Sequence, residues 1–216
     1  MGVTVAVIAK VPEPGHVKTR LCPPCTPEVA ARIAAAALVD TVEVVRATEC
    51  ARRVVALDDA GTPEITGDLD VIQQRGDGLD ERLAALFDDV GGPALVLAMD
   101  TPQVTPALLE SAVTRLDVGA DAVLGLARDG GYWAIGLAHP EPACLLGVPM
   151  HDERTGVAQL ARLRSRGLAV SLLPTLRDVD TFDDAQLVAR EIPGSRFAYE
   201  VDAVLRARLL GDQEAV

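Results

Sequence analysis

Hydrophobic positions fall into short unbroken runs separated by longer stretches of helical spacing. Residues 3–9 (VTVAVIA) are apolar without alternation and rich in β-branched side chains, the pattern of a strand buried on both faces. Similar runs occur at 53–57 (RVVAL), 94–99 (ALVLAM), 122–127 (AVLGLA), 132–137 (YWAIGL) and 168–173, with a shorter one at 71–74. Helical patterns lie between them. One is Ala-rich and runs from the Thr26-Pro27 cap to about residue 48; others cover 79–90, about 105–116 behind the Thr105-Pro106 cap, and 154–166. Two more close the chain near 183–191 and 197–210. Asp129-Gly130-Gly131 between two strand runs predicts a hairpin-like return. Strands alternating with helices predict one α/β domain over residues 1–216, a three-layer α/β/α sandwich with a mostly parallel central sheet. Such sheets bind ligands at the carboxyl ends of their strands.

Composition narrows the partners. Apolar residues make up 49% of the 216 and charged residues 24%, enough to build a core and too apolar for a disordered chain. No stretch of about 18 apolar residues offers a membrane span. The N-terminus lacks a basic leader, and Lys10 ends the first apolar run early, so a cytoplasmic protein is expected. Twenty Lys+Arg against 32 Asp+Glu leave a net charge of −12, little to build a nucleic-acid face. Small molecules held by a locally basic pocket are the expected partners, and a homodimer is compatible with the composition. Only two of the twenty basic residues are lysines, Lys10 and Lys18, and both flank one loop. Cys22-Pro-Pro-Cys25 has redox or zinc spacing but no companion ligands, so loop thiols in a reducing compartment are expected there.

Candidate chemistry sits where strand runs end. After the first comes Lys10-Val-Pro-Glu-Pro14-Gly15-His-Val-Lys18-Thr-Arg20, with three cations in eleven residues and a glycine that lets the backbone turn. Polyphosphate needs such donors, yet neither a Walker A loop nor a GxGxxG fingerprint is present. After the fourth run stands Asp100, in Ala98-Met99-Asp100-Thr101-Pro102; after the last strand stand Asp178 and Asp180. A hard cation accepts one or two carboxylates plus phosphate oxygens, so Asp100 with Asp180 or Asp178 is the candidate metal set. Thr181 and Asp184 have capping-box spacing. Asp129, Gly130 and Gly131 are candidates for substrate contact, with a plain hairpin turn as the alternative. The segment from Gln74 to Arg82 could reach a nucleotide, and reads first as an acidic helix N-terminus. No arrangement of His16, His139 and His151 makes a hydrolase triad. His151-Asp152-Glu153 is a candidate acceptor-side loop in a Pro/Gly-rich connection.

Lys10-x-Pro12-x-Pro14-Gly15-x-Val17-Lys18-Thr19-Arg20-Leu21 resembles the opening motif of a bacterial glycosyltransferase-like family, often labelled arsenosugar-biosynthesis glycosyltransferase. The resemblance continues in order through Gln74 to Leu83, Asp100-Thr-Pro102, the DGGY element at Asp129 to Tyr132, and Asp178-Val-Asp180-Thr181. It implies a GT-A, Rossmann-like nucleotide-diphospho-sugar transferase fold, with phospholactate guanylyltransferases as a sister group. The chain departs from that family at Ala98, where glycine is usual, at Leu126 instead of proline, and at Pro149-Met150-His151.

Two chemistries follow: nucleotidyl transfer from an NTP to a phosphorylated or acidic acceptor with release of pyrophosphate, or glycosyl transfer from an NDP-sugar. The basic loop favours the first, because departing pyrophosphate needs cations beside it. Lys18, Arg20 and Asp100 are then the catalytic candidates. Lys10, Pro14, Gly15, Lys18, Arg20 and Gln74 bind nucleotide, and Mg²⁺ or Mn²⁺ sits on Asp100, Asp180 and Asp178. A nucleotide-binding regulator without catalysis is the remaining alternative.

Overall fold

The computed structural model describes residues 2–59, 63–150 and 152–214. Seven strands form one sheet: β1 (Thr4–Ala9), β2 (Arg52–Leu57), β3 (Asp70–Gln73), β4 (Ala94–Ala98), β5 (Ala122–Ala127), β6 (Tyr132–Leu137) and β7 (Val170–Leu176). Their order is β3-β2-β1-β4-β6-β5-β7. β6 runs antiparallel to both neighbours, and every other pairing is parallel. The predicted return between β5 and β6 is present, but β6 also inserts between β5 and β4, which local pattern could not reveal.

Helices cover both faces: α1 (Pro27–Ala47), α3 (Leu79–Val90), α4 (Pro106–Asp117), α5 (Thr155–Ser165), α6 (Phe182–Glu191) and α7 (Arg196–Glu214), with the short α2 at Pro63–Thr66. Alternation along each strand divides the core. Val5 and Val7 pack with Leu38 and Val42 of α1 and Leu109 of α4. Ala6 and Val96 face Leu83 and Phe87 of α3 and Leu163 of α5. A third cluster, with Ile33, Phe182 and Phe197, joins α1 to α6 and α7. The fold is therefore the expected three-layer α/β/α domain.

Local chemistry sets the helix starts. Thr26 accepts a hydrogen bond from the Val29 N–H with Pro27 behind it, and Thr105 does the same for Leu108. The capping box at Thr181 and Asp184 forms in full. β7 is an outer strand and carries Pro174, whose carbonyl accepts the Trp133 indole N–H at 3.0 Å. Trp133 is buried, lying over Gly125, where a side chain would collide with the indole. Among the described residues, no helix is long and apolar enough to cross a membrane.

Candidate active site

The opening loop, Asp100, the DGG turn and the Asp178–Asp180 segment lie where β1, β4, β5 and β7 end and the antiparallel β6 begins, and the Gln74–Arg82 segment follows β3. The opening loop is fixed there by apolar anchors. Val17 packs on Ala31 and Ala34 of α1, with Met99 beside it, and Leu21 is fully buried in the cluster shared with α6 and α7. A 3₁₀ turn at Thr19–Leu21, which the sequence pattern did not announce, joins the two. Between the anchors Lys18 takes a left-handed backbone (φ 47°), the only non-glycine among the described residues to do so. A non-glycine residue held in this conformation is uncommon and often marks a functional site.

That conformation puts the Lys18 ammonium 2.9 Å from the Asp100 carboxylate and 3.5 Å from that of Asp180. Arg20 reaches Asp180 at 2.7 Å, and its side chain is 71% exposed. Burial works against the Lys18 charge, but the carboxylates of Asp100, Asp180 and Asp178 outweigh it and leave its pKa raised. The loops bearing the acids are joined as well: the Val179 N–H donates to the Asp100 carbonyl at 2.9 Å. Gln103 donates to the Arg177 carbonyl.

A cleft of about 420 Å³ opens beside this contact. The opening loop lines it with Lys10, His16, Lys18 and Arg20, the segment after β3 with Gln74, Asp77, Leu79 and Arg82, and Asp100 and Asp180 line it as well. Asp77 and Arg82 belong to the Gln74–Arg82 segment that could reach a nucleotide; His16 carries no binding expectation from the sequence. Their signal, polar residues just beyond β1 and β3, is hard to tell from an ordinary loop and helix start. Gln74 is present as expected, but its amide is already engaged, donating to the Ala9 carbonyl at 2.7 Å and the Ala56 carbonyl at 2.8 Å. Pro14 and Gly15 are not on the lining. Gly15 is needed for its positive φ of 79°, and the space beside it is open.

Past Asp180 the site turns acidic. Carboxylate oxygens of Asp129, Asp178 and Asp180 all lie within 4.8 Å of one another. Asp100, expected in the metal set, pairs with Lys18 and lies outside this triad, and Asp129, expected to touch substrate, lies within it. Burial first, then the charges of Asp129, Asp100 and Asp180, push the Asp178 carboxyl up to about 7. Oxygen ligands around an octahedral Mg²⁺ sit ~3 Å apart when adjacent and ~4.2 Å when opposite, given metal–oxygen bonds of about 2.1 Å. Three hard oxygen donors at this spacing fit such an ion with small side-chain shifts.

The glycines of the DGG turn serve packing. The Gly130 carbonyl accepts from the Gly156 N–H at 2.8 Å, and a side chain at Gly130 would run into the Glu153 carbonyl. The turn is thereby pressed on the start of α5, and Asp129 closes it by accepting from the Gly131 N–H at 2.7 Å. His151 lies outside the described residues. The four cysteines are free, and burial pushes the Cys25 thiol up to about 11, away from the thiolate range that redox or metal use requires.

Comparison with known proteins supports this picture. The family described as "Uncharacterized protein conserved in bacteria (DUF2064)" matches residues 39–152. No curated protein matches the chain. Among solved structures, one from Desulfovibrio desulfuricans G20, provisionally assigned as a nucleotide-diphospho-sugar transferase, superposes with a TM-score of 0.83 at 26% identity, over 96% of this chain and 98% of its own. The CMP:2-keto-3-deoxy-manno-octonic acid synthetase complexed with CTP gives 0.60 at 13% identity, over 89% and 100%. The manganese complex of Rv0371c from Mycobacterium tuberculosis H37Rv gives 0.56 at 20%, over 87% and 97%. The last two likenesses are of fold. The architecture is that of the GT-A-like nucleotidyl and glycosyl transferases.

Proposed function

Starting from a chain that belongs to the DUF2064 family, we propose that it is a nucleotide-dependent transferase, specifically a divalent-cation-dependent nucleotidyltransferase. It joins an NTP to a small phosphorylated or acidic acceptor and releases pyrophosphate. One observation carries this: Lys18 and Arg20 meet Asp100 and Asp180 on the lining of a single cleft, across 82 to 162 residues of sequence.

In this mechanism the nucleotide lies along the cleft, its base between the Gln74–Arg82 wall and the end of β1. An acceptor oxygen attacks the α-phosphorus from the acidic side. The new O–Pα bond forms as the bond from Pα to the bridging oxygen breaks, and pyrophosphate leaves with that electron pair. Lys10, Lys18 and Arg20 balance its growing charge, a stabilisation of the transition state more than of the bound substrate. An acceptor that is already a phosphate or carboxylate anion needs no general base. Asp178 and Asp180, with Asp129, would hold Mg²⁺ or Mn²⁺, which supplies Lewis acidity and a template for the phosphate oxygens. The manganese bound to Rv0371c and the CTP bound to the octonic acid synthetase support this choice of ligands. A net charge of −12 supports small-molecule partners over nucleic acid. The carboxylate cluster argues against a purely binding role, and the chain is proposed to act in the cytoplasm.

Glycosyl transfer from an NDP-sugar is the second reading, favoured by the assignment given to the Desulfovibrio structure. Each NTP and a set of NDP-sugars, incubated with Mg²⁺ and phosphorylated acceptors, separate the two. Pyrophosphate release from one NTP is expected, and Lys18→Ala should lower it by about 10²-fold or more. Full activity in that variant, or turnover of NDP-sugars alone, rejects nucleotidyl transfer.

A further inference from the structure

Lys18 occupies a position that two ligands would contest. Its side chain is 15% exposed, and its ammonium bonds Asp100 and Asp180 at once. Asp180 is also one of the three carboxylates that converge beyond the cleft. An ammonium resting on Asp180 repels a divalent cation drawn to the same carboxylate. Lys18 also lines the cleft itself, where polyphosphate would offer it several anionic oxygens. The other cations differ. Arg20 pairs with Asp180 from a 71% exposed position, where an ion pair is hydrated and weak. Lys10 lines the same cleft, and among the described residues no ion pair holds it.

We infer that Lys18 is a displaceable internal counter-ion, keeping the Asp129–Asp178–Asp180 site closed to divalent cations until a polyphosphate draws its ammonium away. The inference rests on the cleft being a polyphosphate site, as proposed above. Each ligand favours the state in which Lys18 has left the carboxylates, so each tightens binding of the other, and the coupling is reciprocal. The anchors at Val17 and Leu21 keep the backbone in place, so only the side chain has to swing. The order that follows is polyphosphate first, then metal, so the cation does not settle in an empty cleft.

Two measurements test it without any turnover. The first is Mn²⁺ binding to the protein alone, read by the electron paramagnetic resonance of the free ion. Lys18→Asn, with a residue that tolerates the left-handed backbone, and Lys18→Met should each tighten Mn²⁺ on the order of tenfold. Lys10→Met, which removes an equal charge from the same cleft, should change it less than about twofold because its exposed charge is screened. Asp180→Asn should cancel the gain in the Lys18→Asn background. Unchanged Mn²⁺ affinity in the Lys18 variants, an equal gain in Lys10→Met, or no Mn²⁺ binding by any of these proteins overturns the proposal. Asn and Met together guard against one variant failing to fold.

The second uses the fact that the chain has two lysines. Lysine labelled at Cε gives two resonances, assigned with Lys10→Met. Metal-free tripolyphosphate should shift the Lys18 signal in the wild type; a signal that stays put while the Lys10 signal moves overturns displacement. The two failures can be told apart. A wild type that turns over no nucleotide yet shows both Lys18 effects sinks the transferase reading alone. Normal pyrophosphate release with Mn²⁺ binding indifferent to Lys18 sinks the counter-ion alone.

Discussion

On the β3-β2-β1-β4 side of the sheet all pairings are parallel, and the edge facing the cleft is tied by Gln74, whose amide spans the ends of β1 and β2. On the β6-β5-β7 side the pairing is mixed, β5 carries register shifts near Gly125, and three carboxylates crowd together. The first wall has the carbonyls of Ala9 and Ala56 bridged by the Gln74 amide before any ligand arrives. The second leaves like charges facing one another, stable only with protons or a cation among them. A cleft assembled from two such walls can hold one side rigid and let its ionic side respond to what binds.

Gly130→Val should break the comparison most severely. The added atoms meet the Glu153 backbone, and the positive φ of 96° adds strain. A loss of about 3 kcal/mol is expected in urea unfolding, with the acidic side disordered first in hydrogen exchange. A variant with wild-type stability would mean the turn is not pressed on α5. Gln74→Leu acts on the other wall. It removes the donor shared by two strand-end carbonyls and should cost about 1–2 kcal/mol, read in the same way. If it costs nothing, that wall is not held by its side-chain tie.

Asp178→Asn gives the smallest effect and the sharpest contrast. The Asp178 pKa rises from 3.8 to about 7 on folding, so the folded protein binds more protons than the unfolded one between those limits. Stability from this group is complete below pH 3.8 and declines as pH rises toward 7. With chelator present, Asp178→Asn should remove that decline and raise Tm at pH 8 by about 2 °C, a modest figure because solvent still reaches and screens this partly buried carboxyl. A melting curve with unchanged pH dependence would show that the acids do not repel as described.

Much of the first wall was legible in the sequence. The apolar runs marked each strand, Thr26 and Thr105 marked helix starts, and the spacing of Thr181 and Asp184 foretold the capping box, all local relations. The ionic contacts were not. Lys18 and Asp180 are 162 residues apart, and the insertion of β6 between β4 and β5 decides which loops become neighbours. Gly130 and Gly131 read as a ligand loop, which makes Asp129 a candidate for substrate contact. Their packing against Gly156 on a later helix is a distant pairing that neither position announces. The left-handed backbone of Lys18 escaped for a related reason: lysine has no preference for it, and two buried anchors impose it.

The hydrogen bond from the Val179 N–H to the Asp100 carbonyl has a mechanical consequence. The turn after β4 and the turn after β7 are yoked, so neither can drift independently of the other. A push delivered to one by an arriving ligand is felt at once by its companion, and the distance between the lysine's two anionic partners stays set while the lysine comes and goes.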